Sequence, residues 1–208
     1  MQTKIPKPSI ARLCSLYRFL EECQENDIKA ISSSQIAARL GCGSHSIRKD
    51  ISYLGEIGNL GSGYDVEKLK SHISNKLGLY KERKACVVGL GRLGSSIINC
   101  EKFGTSGYRI VAGFDSNINR LETIRTDIDL YPSYEITDVV RRKEIELAVV
   151  TVPAYAAQDV ADHLVEGGVK GIVNFAPLVI KSGKSDVFVR NIDVLGEFNI
   201  LSALMTLN

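Results

Sequence analysis

A glycine-rich turn, Gly89-Leu90-Gly91-Arg92-Leu93-Gly94, constrains the fold of this chain more than any other feature of its sequence. An apolar run, Ala85–Val88, comes directly before the turn, and an apolar periodic segment continues from it to about Phe103. The sequence therefore predicts a strand that turns sharply into a helix. A second apolar segment, Tyr108–Phe114, ends at Asp115, an acidic residue about 20 residues beyond the motif. Together these features are typical of a dinucleotide-binding strand-helix-strand unit.

The residues of this unit have separate physical roles. Gly89 permits the tight turn, Gly91 lets a pyrophosphate approach the backbone, and Gly94 lets the helix pack closely on the strand. The start of the helix offers N–H groups and a positive dipole end to the phosphates. Asp115 would accept hydrogen bonds from the adenosine ribose, and its charge would repel a 2′-phosphate. The pattern predicts NAD(H) as the cofactor, and a glycine-rich turn without a ligand is the alternative.

The rest of the second half alternates strands and helices. Strands are predicted at Leu147–Val152 and Gly171–Phe175, with a helix from about Ala156 to Glu166 between them. Apolar strands joined by helices indicate a parallel sheet that is covered on both faces. We therefore predict a Rossmann-like α/β domain over residues 81–192, with its boundary at the charged segment 81–84.

The first 80 residues have a helical pattern. A helix opens at Pro8-Ser9, and its expected apolar positions are Ile10, Leu13, Tyr17, Leu20 and Cys23. Ser32 and Gln35 have the spacing of a capping box, which begins a short helix that stops at Gly41. A third helix starts at Ser44, with Ile47, Ile51 and Leu54 on its apolar face. Two short helices joined by a glycine-containing turn are typical of a helix-turn-helix.

The third helix directs donors and cations away from its apolar face, the groups that reach base edges and phosphates. These residues are His45, Ser46, Arg48, Lys49 and Ser52. Glycines between residues 58 and 63 predict a hairpin, and a fourth helix carries Val66, Leu69, Ile73 and Leu77 before Gly78. The sequence predicts a winged-helix DNA-binding domain over residues 1–80. A small helical interaction domain with a solvated polar face is the alternative.

The charge distribution agrees with a polyanionic partner for the first half. The net charge is +2, but residues 1–84 carry 14 lysines and arginines against nine acidic residues, and residues 85–208 carry 12 against 15. A basic front half favours nucleic acid as a partner. Five scattered cysteines and three distant histidines predict reduced thiols in a cytoplasm and no metal centre. No apolar run approaches the roughly 20 residues of a membrane span, so no membrane is expected as a partner.

The sequence does not predict an enzyme. The Rossmann-like segment leaves no substrate domain behind it, and its one histidine, His163, lies mid-helix among polar residues. No set of side chains suggests a nucleophile with its base or a pair of catalytic carboxylates. The dinucleotide is therefore expected to act as a signal. A small NAD-dependent oxidoreductase with an accessory helical domain is the alternative.

In both halves the chain resembles the Rex family of redox-sensing transcriptional repressors, and the resemblance covers nearly all of it. In the first half the resemblance is carried by Ile5-Pro6, Arg12-Leu13, Ile31-Ser32-Ser33, Ile47-Arg48-Lys49-Asp50, Ser52-Tyr53, Gly55-Glu56, Gly63-Tyr64 and Val66-Glu67. In the second half it is carried by the glycine turn, Phe114-Asp115, Val152-Pro153-Ala154, Ala157-Gln158, Lys170-Gly171-Ile172, Asn174-Phe175-Ala176-Pro177 and Asn191-Ile192-Asp193.

The resemblance implies a homodimer that binds a palindromic double-stranded DNA operator, one winged helix per half-site. In the family, NADH favours a closed dimer that cannot span both half-sites, so repression lifts as NADH rises relative to NAD⁺. It also implies that a C-terminal helix, residues 193–208, is swapped between subunits. Here that helix would begin near Val194, with Leu195, Phe198, Leu201 and Met205 at helical spacing. Such a stripe could equally pack within its own subunit.

Site residues follow from the resemblance by position. The cofactor set is the glycine turn with Asp115, Ser116, Val152, Pro153, Ala154, Phe175 and Ala176, of which the last five would line the nicotinamide side. The DNA-binding set is Ser32, Ser44, His45, Ser46, Arg48, Lys49, Ser52, Tyr53, Gly61 and Ser62. A third set, the inter-domain and dimer switch, is Arg12, Cys100 and Asp193, in which Arg12 would meet Asp193 across the dimer.

Three departures from the family pattern carry expectations of their own. Asn59-Leu60 stands where the family wing has Lys-Arg, so we expect weaker or differently specific DNA binding. Arg92 stands where the family has Asn, and an added cation would blunt discrimination between NADH and NAD⁺. Cys100 replaces a tyrosine near the nicotinamide. We expect Cys100 to be a buried structural cysteine, with a thiol sensor as the alternative. A diverged regulator whose site is structural or takes another adenine nucleotide is the alternative within this architecture.

Overall fold

The computed structural model describes residues 5–55, 57, 59–60 and 63–207, with the backbone alone at 59–60. The chain divides into two compact units, Met1–Lys81 and Glu82–Asn208, so the division falls at the charged segment near residue 81. Among the described helices, none is long and apolar enough to cross a membrane.

In its described residues, the first unit combines four helices with a small antiparallel sheet. The helices are α1 (Lys7–Glu25), α2 (Ser33–Leu40), α3 (Ser44–Ser52) and α4 (Val66–Leu77). The strands are β1 (Ala30–Ile31), β2 (Asn59–Leu60) and β3 (Gly63–Asp65), in the order β1-β3-β2. Helices α2 and α3 form the predicted helix-turn-helix, and β2 and β3 form the predicted hairpin. Strand β1, which the sequence analysis did not predict, pairs with β3 through Ala30 and Ile31.

Local chemistry sets the ends of these helices. The Ser32 hydroxyl accepts from the Gln35 N–H, and the Gln35 side chain accepts from the Ser32 N–H, which completes the predicted capping box. Helix α2 ends at Gly41 in the left-handed conformation, with φ of 63°. The Asp65 carboxylate caps α4 by accepting from the Lys68 N–H. The sequence analysis predicted the capping box and the end at Gly41, but it did not identify the Asp65 cap.

The buried stripe of α1 differs from the predicted one. Leu13, Leu20 and Cys23 are buried as expected, but the stripe also contains Leu16, whereas Ile10 is 39% exposed. Both three- and four-residue steps fit a helical period, so spacing alone did not decide between neighbouring positions. These side chains form one core with a set from α2, α3 and α4, namely Ile36, Ile47, Ile51, Val66, Leu69 and Ile73.

Over residues 82–207, which the structure describes, the second unit is built on a six-stranded parallel sheet. Its strands are β4 (Arg83–Val88), β5 (Tyr108–Asp115), β6 (Asp129–Pro132), β7 (Leu147–Val150), β8 (Gly171–Asn174) and β9 (Phe188–Asn191). The order β6-β5-β4-β7-β8-β9 is the strand order of a Rossmann fold. The short outer strands β6 and β9, which the sequence analysis did not predict, complete the sheet.

Helices cover both faces of this sheet, as predicted. They are α5 (Arg92–Ile98), α6 (Lys102–Thr105), α7 (Ile118–Thr123), α8 (Ile136–Lys143) and α9 (Ala154–Gly167), with a 3₁₀ turn at Ser133–Glu135. One core lies between the sheet and helices α8 and α9, and a smaller one contains Val87, Leu90 and Ile98. The helix after the glycine turn, predicted to reach about Phe103, ends at Ile98, and α6 follows as a separate short helix.

The last helix, α10 (Val194–Leu207), is apolar and exposed. None of its described residues is buried, and the exposed fractions of Leu195, Phe198 and Met205 are 71%, 66% and 83%. The Asp193 carboxylate accepts from the Gly196 N–H at 2.9 Å, so it caps the start of this helix.

Candidate functional site

A cavity of about 750 Å³ opens at the carboxyl ends of β4, β5 and β7. Strand β4 lies at the centre of the sheet, where the chain reverses its direction of winding, and α/β proteins bind ligands at this point. The cavity is lined by Val88, Gly89, Gly91, Asp115, Ser116, Asn117, Arg120, Ser133, Thr151, Val152, Pro153, Tyr155, Ala156, Asp159 and Val160.

The three motif glycines meet different surroundings. Gly89 has φ of 92°, and a Cβ there would lie 2.8 Å from the Val152 side chain. A Cβ at Gly94 would collide with the carbonyl oxygen of Gly89. At Gly91, by contrast, an added Cβ would meet no atom of the described residues within 4 Å. Gly89 and Gly94 are therefore required by packing, and Gly91 leaves space on the cavity side.

Hydroxyl groups hold the glycine turn in place. The Thr151 hydroxyl lies 2.6 Å from the Gly89 carbonyl oxygen and 3.1 Å from that of Val88. The Ser95 hydroxyl donates to the Leu90 carbonyl oxygen at 2.9 Å. Thr151 follows β7, so only the pairing of β7 with β4 brings it beside the turn. The sequence analysis did not identify it.

Asp115 is buried, with 4% of its surface exposed, and it accepts three hydrogen bonds. The Leu90 N–H donates to Oδ2 at 2.7 Å, the Asn117 N–H donates to Oδ1 at 2.8 Å, and Arg120 Nη1 donates to Oδ2 at 2.9 Å. The carboxylate, at the end of β5, therefore stabilises the glycine turn by accepting from its Leu90 N–H. It also lines the cavity at the position predicted for a ribose acceptor.

The structure distributes the predicted cofactor residues over two groups. The cavity is lined by Gly89, Gly91, Asp115, Ser116, Val152 and Pro153. The others are placed elsewhere in this unit: Leu90 and Ala176 are buried in cores, Gly94 packs on the turn, Arg92 and Leu93 are exposed on α5, Ala154 begins α9, and Phe175 is half-buried after β8.

Several residues that line the cavity were missed by the sequence analysis, among them Asn117, Arg120, Thr151, Ser133, Tyr155 and Asp159. They follow the carboxyl ends of strands or lie in the first turns of the next helices. That position is the signal that could have found them, because loops at this edge of a parallel sheet converge. Ser133 could not be placed without β6, which the sequence did not predict.

In the first unit, α3 presents the predicted polar face. His45, Arg48, Lys49 and Ser52 are exposed, while Ile47 and Ile51 are buried. The remaining predicted residues Ser44, Ser46 and Tyr53 are half-buried, and Ser32 caps α2. Gly61 and Ser62 lie outside the described residues. The helix thus carries exposed donors and cations on the side opposite the core.

Arg12 and Asp50 join α1 to this helix. Arg12 Nε and Nη2 donate to the two carboxylate oxygens of Asp50 at 2.6 and 2.9 Å. The side chain of Asp50 is 2% exposed, and that of Arg12 is 34% exposed. The hydrogen bond to Asp50 raises the pKa of Arg12 above its ordinary value. The sequence analysis assigned Arg12 a partner in Asp193 across a dimer, and it did not identify this pairing within the chain.

The cysteines differ in exposure. Cys100 is exposed in the described chain, which differs from the expectation of a buried structural residue. Cys86 and Cys23 are buried, and desolvation raises the pKa of both thiols. Within the described residues, no group of histidine, cysteine and acidic side chains is placed to hold a metal ion.

Comparisons with known families match both units. A family described as the CoA binding domain matches residues 80–178, and one described as the putative DNA-binding protein N-terminus matches residues 4–52. The redox-sensing transcriptional repressor Rex of Carboxydothermus hydrogenoformans is 38% identical over 199 residues, covering 96% of this chain and 95% of the relative. Rex 1 of Thermotoga maritima is 38% identical over 203 residues, covering 97% of this chain and 96% of the relative.

Solved structures give the same result. RSP, a Rex-family repressor, in complex with β-NAD⁺ and operator DNA is 33% identical, with a TM-score of 0.86 over 98% of this chain and 93% of that chain. RSP in complex with β-NADH is 32% identical, with a TM-score of 0.83 over 98% of this chain and 95% of that chain. With this identity over nearly its whole length, the chain belongs to the Rex family of redox-sensing transcriptional repressors.

Proposed function

We propose that this chain is a repressor that binds a palindromic operator as a homodimer and is released from DNA by NADH. One observation carries the proposal: a helix-turn-helix with an exposed basic face and a Rossmann cavity stand in a single chain that matches RSP over 98% of its length. RSP is known in complex with operator DNA and NAD⁺, and with NADH.

The DNA would be read by α3. Its exposed cations Arg48 and Lys49 can contact phosphates or guanine edges, and His45 at its start can reach bases in a major groove. The Arg48 guanidinium lies 3.2 Å from the Ser33 hydroxyl, which directs it along the start of α2. The wing, with Asn59 and Leu60, would contribute less charge than in other family members, so its phosphate contacts would be weaker.

The dinucleotide would lie across the carboxyl edge of the sheet. The space beside Gly91 would take the pyrophosphate, and Asp115 marks the ribose end of the cavity. Val152, Pro153 and Ala154, with Phe175 and Ala176, are proposed for the nicotinamide side. Bound there, NAD(H) supplies a redox state to be sensed.

The second subunit would cover α10. The 14-residue helix α10 is apolar and has no buried residue, and an exposed apolar surface of this kind marks an interaction site. We place it against a second copy of the chain, swapped between subunits, because a twofold dimer matches a palindromic operator. Asp193, at the start of this helix, would then meet Arg12 of the partner subunit in one state of the dimer.

The proposed switch requires only that NADH bind two conformations of the dimer with different affinities, and it requires no chemical reaction. NADH releases DNA if it binds the closed dimer more tightly than the DNA-bound dimer, by a few kcal/mol. None of the described residues that line the cavity is a histidine, lysine or cysteine, and its ionisable side chains are Asp115, Arg120, Tyr155 and Asp159. We propose a sensor without enzymatic activity, acting in the bacterial cytoplasm, because the relatives that match nearly the whole chain are transcriptional repressors.

Fluorescence anisotropy on a labelled palindromic operator, titrated separately with NADH and NAD⁺, tests the proposal. We expect tight binding without NADH, release by NADH, and little effect of NAD⁺ at the same concentrations. If DNA binding is unchanged by either nucleotide, the proposed role as a repressor would stand and the proposed role as a redox sensor would be contradicted. Arg48→Ala should weaken DNA binding by about 10-fold, whereas Lys76→Ala, at an exposed position of α4, should leave it unchanged.

A further inference from the structure

The ribose end of the cavity carries an arginine as well as an aspartate. Arg120, in α7, donates from Nη1 to Asp115 Oδ2 at 2.9 Å. The Asp115 side chain is 4% exposed, whereas that of Arg120 is 43% exposed and lines the cavity. The carboxylate thus forms the inner end of this ion pair, and the guanidinium forms the end that a ligand meets.

The hydrogen bonds of Asp115 leave it little capacity for a ligand. A carboxylate offers about four lone-pair positions, and the Leu90, Asn117 and Arg120 donors occupy three of them. It therefore has about one position left for a ribose hydroxyl. The arginine also offsets part of the carboxylate charge, which reduces the repulsion that would exclude a 2′-phosphate.

We infer that Arg120 makes this cavity accept dinucleotides with a 2′-phosphate on the adenosine ribose, so that the ligand class includes NADPH beside NADH. A guanidinium has five N–H donors in a fork that suits phosphate oxygens, and the described hydrogen bonds use one of them here. Ser116 and Ser133 bring hydroxyl groups to the same end of the cavity. An arginine near the end of the second strand is how Rossmann domains accommodate this phosphate.

The inference rests on the proposed dinucleotide site, and one alternative role for Arg120 must be separated from it. Arg120 could serve only to orient Asp115 toward the ribose. In that case its loss would weaken NADH affinity at least as much as NADPH affinity, because NADPH lacks the free 2′-hydroxyl and shares only the 3′-hydroxyl with NADH.

Calorimetric titration of the full chain with NADH and with NADPH distinguishes these roles. We expect the affinity of wild type for NADPH to lie within about 10-fold of its affinity for NADH. Arg120→Leu should weaken the affinity for NADPH by about 10-fold or more, while its affinity for NADH changes by less than about 3-fold. Arg125→Leu, which removes an exposed arginine that does not line the cavity, is the matched control and should leave both affinities unchanged.

Two results would overturn the inference while keeping the proposed function: NADPH affinity more than about 100-fold weaker than NADH affinity in wild type, or a loss of NADH affinity in Arg120→Leu that is at least as large as the loss of NADPH affinity. If neither dinucleotide binds wild type, the proposed function itself fails and the inference with it. Circular dichroism checks the fold of each variant. If Arg120→Leu does not fold, Arg120→Lys takes its place. Lysine lacks the forked donors of a guanidinium, so this variant should lose affinity for NADPH and keep its affinity for NADH.

Discussion

At the residue scale, two glycines of one turn meet different demands. Gly94 is required because a side chain would collide with the Gly89 carbonyl oxygen, a backbone atom that can move only if the turn itself shifts. Gly91 faces the cavity, where a methyl group would meet no described atom within 4 Å. Packing therefore accounts for one glycine, and space for a ligand accounts for the other.

Substitution of these two glycines should separate stability from binding. Gly94→Ala should lower the free energy of unfolding by about 3 kcal/mol, because the turn must shift to admit the methyl group. Gly91→Ala should leave that free energy within about 0.5 kcal/mol of wild type, but it should weaken the affinity for NADH by about 10-fold. Urea denaturation and calorimetry measure the two effects. Gly104→Ala, where a Cβ also has space, controls for the change of residue.

The Arg12–Asp50 pair is a second contact decided at the residue scale. Asp50 is almost fully buried, so removing Arg12 leaves a buried carboxylate without its bidentate partner. We expect Arg12→Ala to lower the free energy of unfolding by about 2 kcal/mol. Arg18→Ala removes an exposed arginine from the same helix and should change it little. Equal stability of the two variants in urea denaturation would contradict a structural role for the pair.

At the element scale, strand β6 is held to helix α8 by polar contacts as well as by the sheet. Lys143 Nζ, in α8, donates to Asp129 Oδ2, in β6, at 2.7 Å, and this bond is the largest cause that lowers the pKa of Asp129. Both Arg142 and Lys143 also lie within 6 Å of the Tyr131 ring centroid, at 5.9 and 5.8 Å. These contacts stabilise β6, a four-residue strand of mixed polarity, at the edge of the sheet.

The direction in which folding shifts the pKa of Asp129 determines how the stability of the protein depends on pH. Because folding lowers its pKa, Asp129 contributes stability above its unfolded pKa and loses that contribution as pH falls through the folded value. Asp129→Asn should therefore be less stable than wild type at about pH 7, with a difference that shrinks toward about pH 3. The difference is small because the pair is exposed. Asp127→Asn, an exposed neighbour, is the control in thermal denaturation, and a difference independent of pH would contradict the assignment.

At the scale of the whole molecule, the exposed apolar helix α10 predicts assembly. Phe198→Asp places a charge in the apolar surface that we assign to the second subunit. We expect this variant to sediment as a monomer and to lose most of its affinity for a palindromic operator, because two half-sites need two linked winged helices. Asn199→Asp adds the same charge at a position that is already polar and should remain dimeric. A dimeric Phe198→Asp would place the interface elsewhere.

What the sequence by itself determined was local. The glycine turn, the capping box at Ser32 and the left-handed glycines that end α2 and α4 follow from neighbours a few residues apart, and the structure contains each of them. The family followed in the same way, from ordered motifs along the chain. The parallel sheet and its cover on both faces agreed with the prediction from alternating apolar segments, whereas the outer strands β6 and β9 were not predicted.

Only the tertiary structure decided the contacts between distant residues. Arg12 and Asp50 are 38 positions apart, and Leu90 and Asp115 are 25 apart, so no periodicity indicates that they meet. Arg120 enters the cavity because α7 follows β5, and Ser133 because the unpredicted strand β6 brings it there. The physical reason is the same in each case. Burial of the apolar strands fixes the topology, and the topology then selects which polar side chains lie close enough to form hydrogen bonds.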